Sequence, residues 1–302
     1  MLPKIALLFP GQGTQTVGMA KALIKEFSPT AYMFRRASWT LGYNLEEMCT
    51  NGSEEQISST EISQPAIFTY SLAAIEYLRV RRTEMVRWCT AAAGLSLGEY
   101  TALTFAGALS FSDGVSLVKQ RAIAMQEASD AAPGGMVSIL GKSLEEVEKL
   151  CDENRGDGVL QVANILCPGN IVVSGSLDAC ERIAELASKK KFQAIPLAVS
   201  GAFHTSLMQP AVARLVEALN KVEIKEPEFP VISNVDAKPH TDPDEIRQLL
   251  IKQIVSPVLW EDSMRYLLAQ GFEIFYEIGH GRVLRSLMKR IDREAPCFGS
   301  PK

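Results

Sequence analysis

Apolar and polar positions along the chain follow two periods, one of strands and one of helices. A continuous apolar run, Ile5 to Phe9, predicts a buried strand from Lys4 to Phe9. A glycine-rich loop comes next, then a helix from about Val17 to Glu26. Helical spacing recurs over 29–48 and 65–82, separated by a turn-rich stretch, 51–64. The short apolar run Cys89 to Ala93 predicts a second buried strand. It leads into a serine flanked by glycines and a helix reaching about Gly107. Ser112-Asp113 reads as a cap opening a helix through Gln126.

Pro133-Gly134-Gly135 marks a break. Beyond it, Met136–Leu140 reads as a strand, Leu144–Asn154 as a helix, and Val159–Asn164 and Asn170–Ser174 as strands. Leu177–Lys190 reads as a helix and Phe192–Val199 as a strand. The order β-α-β-β-α-β is that of a ferredoxin-like module. The rest of the chain predicts helices at 206–221, 243–255, 261–270 and 281–292, and strands at Val231–Asn234 and Glu273–Glu277 that return to the first sheet. The expected fold is α/β: a large α/β-hydrolase-like domain with a parallel sheet (1–127 and 200–302), and an inserted small ferredoxin-like α+β domain (128–199).

Composition narrows the function classes. Of 302 residues, 47% are hydrophobic and 22% charged, and the net charge is −4, which argues against a nucleic-acid or anionic-membrane binder. Apolar runs stop well short of the roughly 20 residues a membrane span needs. Met1-Leu2-Pro3-Lys4 and its short apolar run do not make a signal peptide. The six cysteines are scattered without a C-x-x-C, as expected of reduced, mostly buried thiols in a reducing compartment. Three histidines without H-E-x-x-H give no expectation of a metal.

The most informative motif is Gly94-Leu95-Ser96-Leu97-Gly98, of the form G-x-S-x-G. Between a strand and a helix, this pattern predicts a nucleophile elbow, with the serine hydroxyl at the tip of a sharp turn. A glycine-serine turn without chemistry is the bland alternative. A serine hydroxyl needs a base, and His204, at a glycine turn between a strand and a helix, is the best candidate. His280, between two glycines, is a weaker rival, and His240 lies in a Pro/Asp-rich loop that reads as surface. The loop Phe9-Pro10-Gly11-Gln12-Gly13-Thr14-Gln15 suggests main-chain amides facing a ligand. It is not a P-loop, because no Gly-Lys-Ser/Thr follows. Arg121 lies mid-helix on a largely apolar stretch; pointing inward, it would have to find an anion.

Taken in order, several segments converge: Leu8-Phe9-Pro10-Gly11-Gln12-Gly13, Gln64-Pro65, Gly94-Leu95-Ser96-Leu97-Gly98-Glu99-Tyr100, Gln120-Arg121 with Met125-Gln126, Phe203-His204, Pro257-Val258-Leu259-Trp260 and Glu277-Ile278-Gly279. The set, spanning about residues 4 to 293, closely resembles the malonyl-CoA:acyl-carrier-protein transacylase family of type II fatty-acid synthesis. The resemblance implies Ser96 as acylated nucleophile, His204 as base, and the Gln12 and Leu97 amides as oxyanion hole. It implies Arg121 as partner of the malonyl carboxylate, a task suited to a planar guanidinium. Gln253 matches a position whose main-chain carbonyl orients the histidine, with Ser256 where the family often has Asn. Met125, Phe203, Gln64 and Asn164 are expected in the pocket. Leu95 stands where bacterial members usually have histidine, a form similar to the plant, algal and cyanobacterial branch. Phe203 resembles malonyl-selective members.

The implied reaction is ping-pong transfer of malonyl from malonyl-CoA to the phosphopantetheine thiol of an acyl carrier protein, with no cofactor of the enzyme's own. Carrier proteins of this pathway are acidic, so Lys189, Lys190, Lys191, Lys289 and Arg290 are candidate docking residues, against their reading as solvated helix-end cations. A monomer in a bacterial cytoplasm or a plastid stroma is expected. Three alternatives stay open: a polyketide acyltransferase, a serine thioesterase, and a non-catalytic carrier-protein scaffold.

Overall fold

The computed structural model describes residues 3–81, 83–190, 192–199 and 201–299. Two sheets organise them. The six-stranded sheet runs, edge to edge, Cys297–Gly299, Phe272–Glu277, Lys4–Phe9, Cys89–Gly94, Val231–Ile232 and Pro239–His240. All neighbours are parallel except the last pair. Lys4–Phe9 is central, which is why its apolar run is continuous: a parallel strand is covered on both faces. Ile5, Leu7 and Phe9 face one core with Phe34, Phe68 and Tyr100. Ala6 and Leu8 face the other, with Trp260, Met264 and Phe275.

The five-stranded sheet has the order Gln193–Pro196, Gly134–Leu140, Asn170–Ser176, Leu160–Cys167, Val258–Leu259. Its first four strands are antiparallel and carry the helices Leu144–Asn154 and Leu177–Lys190, the expected β-α-β-β-α-β order. The fifth comes from outside 128–199 and lies parallel on Leu160–Cys167. At two residues it is too short to show a strand period in sequence. This segment ties the small sheet to the large one, because Trp260 directly after it and Cys167 at the end of the neighbouring strand share one core cluster with Ala6 and Leu8 of the central strand.

Several elements differ from expectation for local reasons. The helical stretch 29–48 is two helices, Pro29–Leu41 and Leu45–Asn51, because Gly42 turns left-handed at φ 84°. The stretch 51–64 holds a capped helix, Glu54–Ser58, and the start of the next, Thr60–Arg81. That helix runs through Pro65, which has no N–H for the carbonyl of Glu61. The hydroxyl of Tyr43 donates to that carbonyl at 3.1 Å instead. The helix expected from Ser112 starts at Phe111 and runs to Ala131, capped by Ser110, which accepts from the N–H of Asp113 at 3.1 Å.

The helix Leu97–Phe105 leaves the sheet at the end of Cys89–Gly94. Gly98 lies so close to the first strand that a Cβ there would overlap the Phe9 carbonyl, and one at Gly11 would overlap that of Leu95. Glycine at these points lets the loop after the first strand seat on the elbow. The N–H of Leu95 donates to Phe9 O at 3.0 Å.

Candidate active site

The turn between Cys89–Gly94 and Leu97–Phe105 places Ser96 at φ 53°, ψ −100°, a conformation that L-residues rarely adopt. Asn234 holds it there: its Oδ1 accepts from the N–H of Ser96 at 2.7 Å and its Nδ2 donates to Gly94 O at 2.7 Å. Asn234 can do so because the strand expected through it ends at Ile232 and the chain turns toward the elbow.

His204, also left-handed at φ 62° and 4% exposed, presents Nε2 to Ser96 Oγ at 2.8 Å. Its Nδ1 lies 2.8 Å from the main-chain oxygen of Gln253. A carbonyl only accepts, so Nδ1 carries the proton and Nε2 presents its lone pair to the serine hydroxyl. Burial first, and the charge of Arg121 second, hold the imidazole down at about 4; the carbonyls of Gln253 and Ser256 act the other way. The ring is therefore neutral around pH 7. Ser256, half-buried, donates its N–H to the same Gln253 oxygen at 3.4 Å.

Arg121 points inward from the helix Phe111–Ala131 and is 1% exposed. It donates to Gln64 Oε1 at 2.7 Å, to Gln253 Oε1 at 3.1 Å and to Ser96 Oγ at 2.9 Å, and lies over the Tyr100 ring at 5.4 Å. Its Nε is buried without an acceptor among the described residues. The three oxygens around the guanidinium are neutral, so the site has donor capacity for an anion.

A cavity of about 240 Å³ opens onto Ser96, Arg121 and His204. Gln12, Leu97, Met125, Asn164 and Phe203 line it, and Leu166, Val172, Leu197 and Val283 give it apolar walls. Asn164 sits at a register break between the strands Leu160–Cys167 and Asn170–Ser176. Leu97 opens its helix, so its N–H has no acceptor within it. Gln64, expected in the pocket, does not line it. It is fully buried behind Arg121 with its amide 3.5 Å from Met125 Sδ.

The other sequence candidates lie elsewhere. His280 Nδ1 faces Thr14 O at 2.9 Å, outside this cavity. His240 sits between Asp236 and Glu245, at 2.9 and 3.1 Å. Lys189, Lys190, Lys289 and Arg290 are exposed; Lys189 pairs with Glu185 at 3.5 Å and Arg290 donates to Pro168 O at 2.9 Å. Lys191 lies outside the described residues. Two residues of the site went unread in the sequence, Asn234 and Glu99. Glu99 is 3% exposed, and its Oε2 accepts from Gln253 Nε2 at 2.7 Å and from the N–H of Asn234 at 3.1 Å. Its only sequence signal was its place after Gly98 in the elbow motif. Among the described residues, no group of three or more His, Cys, Asp or Glu could hold a metal ion.

The acyl transferase domain family matches residues 6–296. The malonyl CoA-acyl carrier protein transacylase of Bacillus subtilis is 42% identical over 97% of this chain and 92% of its own length. The chain belongs to the malonyl-CoA:acyl-carrier-protein transacylase family. It is an acyltransferase. Solved structures agree in fold: that of the malonyl CoA-acyl carrier protein transacylase of Coxiella burnetii superposes with a TM-score of 0.94 at 36% identity, covering 99% of this chain and 94% of that one. A complex of a type II polyketide-synthase acyl carrier protein with its malonyl-transacylase superposes with a TM-score of 0.92 at 35% identity, covering 98% and 94%. The large α/β domain with a small α+β domain is the architecture these comparisons support. No described helix is long and apolar enough to cross a membrane.

Proposed function

We propose that the protein transfers the malonyl group of malonyl-CoA to the phosphopantetheine thiol of an acyl carrier protein through a malonyl ester on Ser96. One observation carries the reading: a serine hydroxyl 2.8 Å from a neutral imidazole and 2.9 Å from a buried guanidinium, in one cavity. A base activates the hydroxyl, and a cation on the same wall selects an acyl group that ends in a carboxylate.

In this reading Ser96 Oγ attacks the thioester carbon and its proton passes to His204 Nε2. The oxyanion rests on the amides of Gln12 and Leu97, the second at the positive end of its helix. The carbon–sulfur bond breaks, and the coenzyme A thiolate takes the proton from His204. The carrier-protein thiol then gives its proton to His204 and its sulfur attacks the ester carbon; the bond from that carbon to Ser96 Oγ breaks, and Oγ takes the proton back from His204 Nε2. Thioester is exchanged for ester and back, so the enzyme lowers barriers in both directions. Arg121 pairs with the malonyl carboxylate, and the Gln253 carbonyl keeps the imidazole in the correct tautomer. Met125, Phe203 and Asn164 shape the pocket, and Gln64 backs the guanidinium. The chemistry needs no cofactor of the enzyme's own.

The large catalytic domain is assigned to 1–127 and 200–302 and the small domain to 128–199. Lys189, Lys190, Lys289 and Arg290 remain candidates for carrier-protein docking. Six unpaired cysteines favour a reducing compartment, such as a bacterial cytoplasm or a plastid stroma. Fatty-acid synthesis is the pathway proposed; a polyketide carrier protein would be loaded by the same chemistry.

The test is intact mass after incubation with malonyl-CoA. A single malonyl adduct on the wild type, absent from Ser96→Ala and discharged by holo acyl carrier protein, is the expected outcome. An adduct that survives in Ser96→Ala, or discharge to free malonate that ignores the carrier protein, would overturn it.

A further inference from the structure

The contacts of the reaction centre converge on one side chain, and an acid with no part in the steps above holds that side chain. The Gln253 carboxamide donates to the Ser96 carbonyl at 3.0 Å and accepts from Arg121 at 3.1 Å, while its main-chain oxygen faces His204 Nδ1 at 2.8 Å. The shortest contact of its Nε2 is to Glu99 Oε2, at 2.7 Å. The same carboxylate oxygen accepts from the N–H of Asn234, whose side chain accepts from the N–H of Ser96. We propose that Glu99 is a positioning residue of this centre: its carboxylate clamps Gln253 and Asn234, and through them sets His204, Arg121 and the Ser96 backbone. The inference rests on the malonyl-transfer reading and deepens it.

Geometry and charge support it together. Glu99 follows Ser96 by one turn of the elbow helix, so nucleophile and clamp move as one rigid unit. Arg121 has only neutral hydrogen-bond acceptors, and Glu99 supplies a compensating charge across the shared Gln253. The charged and titratable groups facing Glu99 are Arg121, from the Phe111–Ala131 helix, and Tyr100, on its own helix. The segment 231–234 and the helix Pro243–Gln253 turn the neutral Ser233, Asn234 and Gln253 toward it. Burial pushes its carboxyl up to about 7, against the donors and Arg121. Glu99 thus gains a proton near neutrality, while His204 stays neutral down to about 4. A protonated Glu99 still offers an oxygen, but loses the charge that strengthens both hydrogen bonds.

The experiment is the rate of Ser96 acylation by malonyl-CoA, read by quenched-flow mass spectrometry from about pH 5 to about pH 9. Wild type, E99Q and E99D are compared, with folding followed by circular dichroism. The wild type should show an acid limb near pH 7, not near pH 4. E99Q should fold, lose that limb, and acylate at about pH 8 some tenfold more slowly, with the malonyl-CoA KM changed far less than kcat. E99D, which keeps a carboxylate, should keep the limb. A merely structural acid would lower activity without moving the profile. Wild-type rate and profile in E99Q would overturn the inference. So would a wild type at full rate near pH 5.5, a measurement that needs no variant to fold. A wild type that forms no adduct at any pH would overturn the malonyl-transfer reading itself, and this inference with it.

Discussion

Arg121→Ala separates recognition of the acyl group from the chemistry on it. The substitution removes a buried guanidinium that donates three hydrogen bonds, at 2.7, 2.9 and 3.1 Å. A malonyl carboxylate in the cavity would pair with that group by charged hydrogen bonds, each worth about 1.5–3 kcal/mol. Two of them amount to about 3–6 kcal/mol, on the order of 10²- to 10⁴-fold in kcat/KM. An acetyl group makes neither bond and, in the wild type, leaves the guanidinium with only its neutral acceptors. The variant should therefore lose malonyl transfer by that factor and lose far less acetyl transfer, so that its malonyl-to-acetyl preference collapses. The assay is the rate of adduct formation on Ser96 with malonyl-CoA and with acetyl-CoA, under the same conditions. Folding is checked by thermal unfolding, because Gln64 and Gln253 lose a donor. Equal losses for the two acyl groups would refute the carboxylate role and leave Arg121 as a support for Ser96.

Two further predictions concern stability. Gly98→Ala would drive a methyl into the Phe9 carbonyl, so it should lower unfolding free energy by about 3 kcal/mol or more, whereas Gly42→Ala, strained only in φ, should cost about 1–2 kcal/mol. Urea titrations that rank them the other way would refute the close approach of elbow and first strand. His204 binds protons from about pH 6.5 downward when unfolded but only from about 4 when folded. Its contribution is therefore fully present above pH 6.5 and is lost as pH falls toward 4, a span of about 3 kcal/mol. Glu99, with its folded value raised from 4.5 to about 7, runs the opposite way. The measure is accordingly the difference between wild type and His204→Gln: the variant should gain on the wild type as pH falls through this window, and parallel curves would refute the burial of a neutral imidazole.

Local pattern carried a good part of this molecule. The central strand Lys4–Phe9, the elbow strand from Cys89 and the helices Leu144–Asn154 and Leu177–Lys190 were legible because burial on both faces, or on one stripe, imposes a period over consecutive residues. The elbow motif was legible because its residue types sit at fixed spacing inside five residues, although the crowding that requires Gly98 comes from the distant Phe9 carbonyl. An arginine on a largely apolar helical stretch marked Arg121 as a residue that needs an anion if it points inward, while the resemblance to a known family supplied its malonyl partner and Gln253. Elements lost to view were those whose cause lies far along the chain. The helix expected over 65–82 begins one turn earlier, at Thr60, with Tyr43 serving the carbonyl that Pro65 orphans, and Val258–Leu259 is a strand only because Leu160–Cys167 offers it an edge.

The sequence by itself determined the long, strongly periodic strands and helices, and that a serine stands at a turn fit for a nucleophile. Only the tertiary structure decided what surrounds that serine. His204, Arg121, Asn234 and Gln253 reach it from four other segments, and Gln64 falls behind the guanidinium rather than into the cavity. Hydrogen bonds between residues as many as 157 positions apart depend on how the sheets are ordered and closed. That order is set by packing of the whole chain, and no window of neighbouring residues contains it.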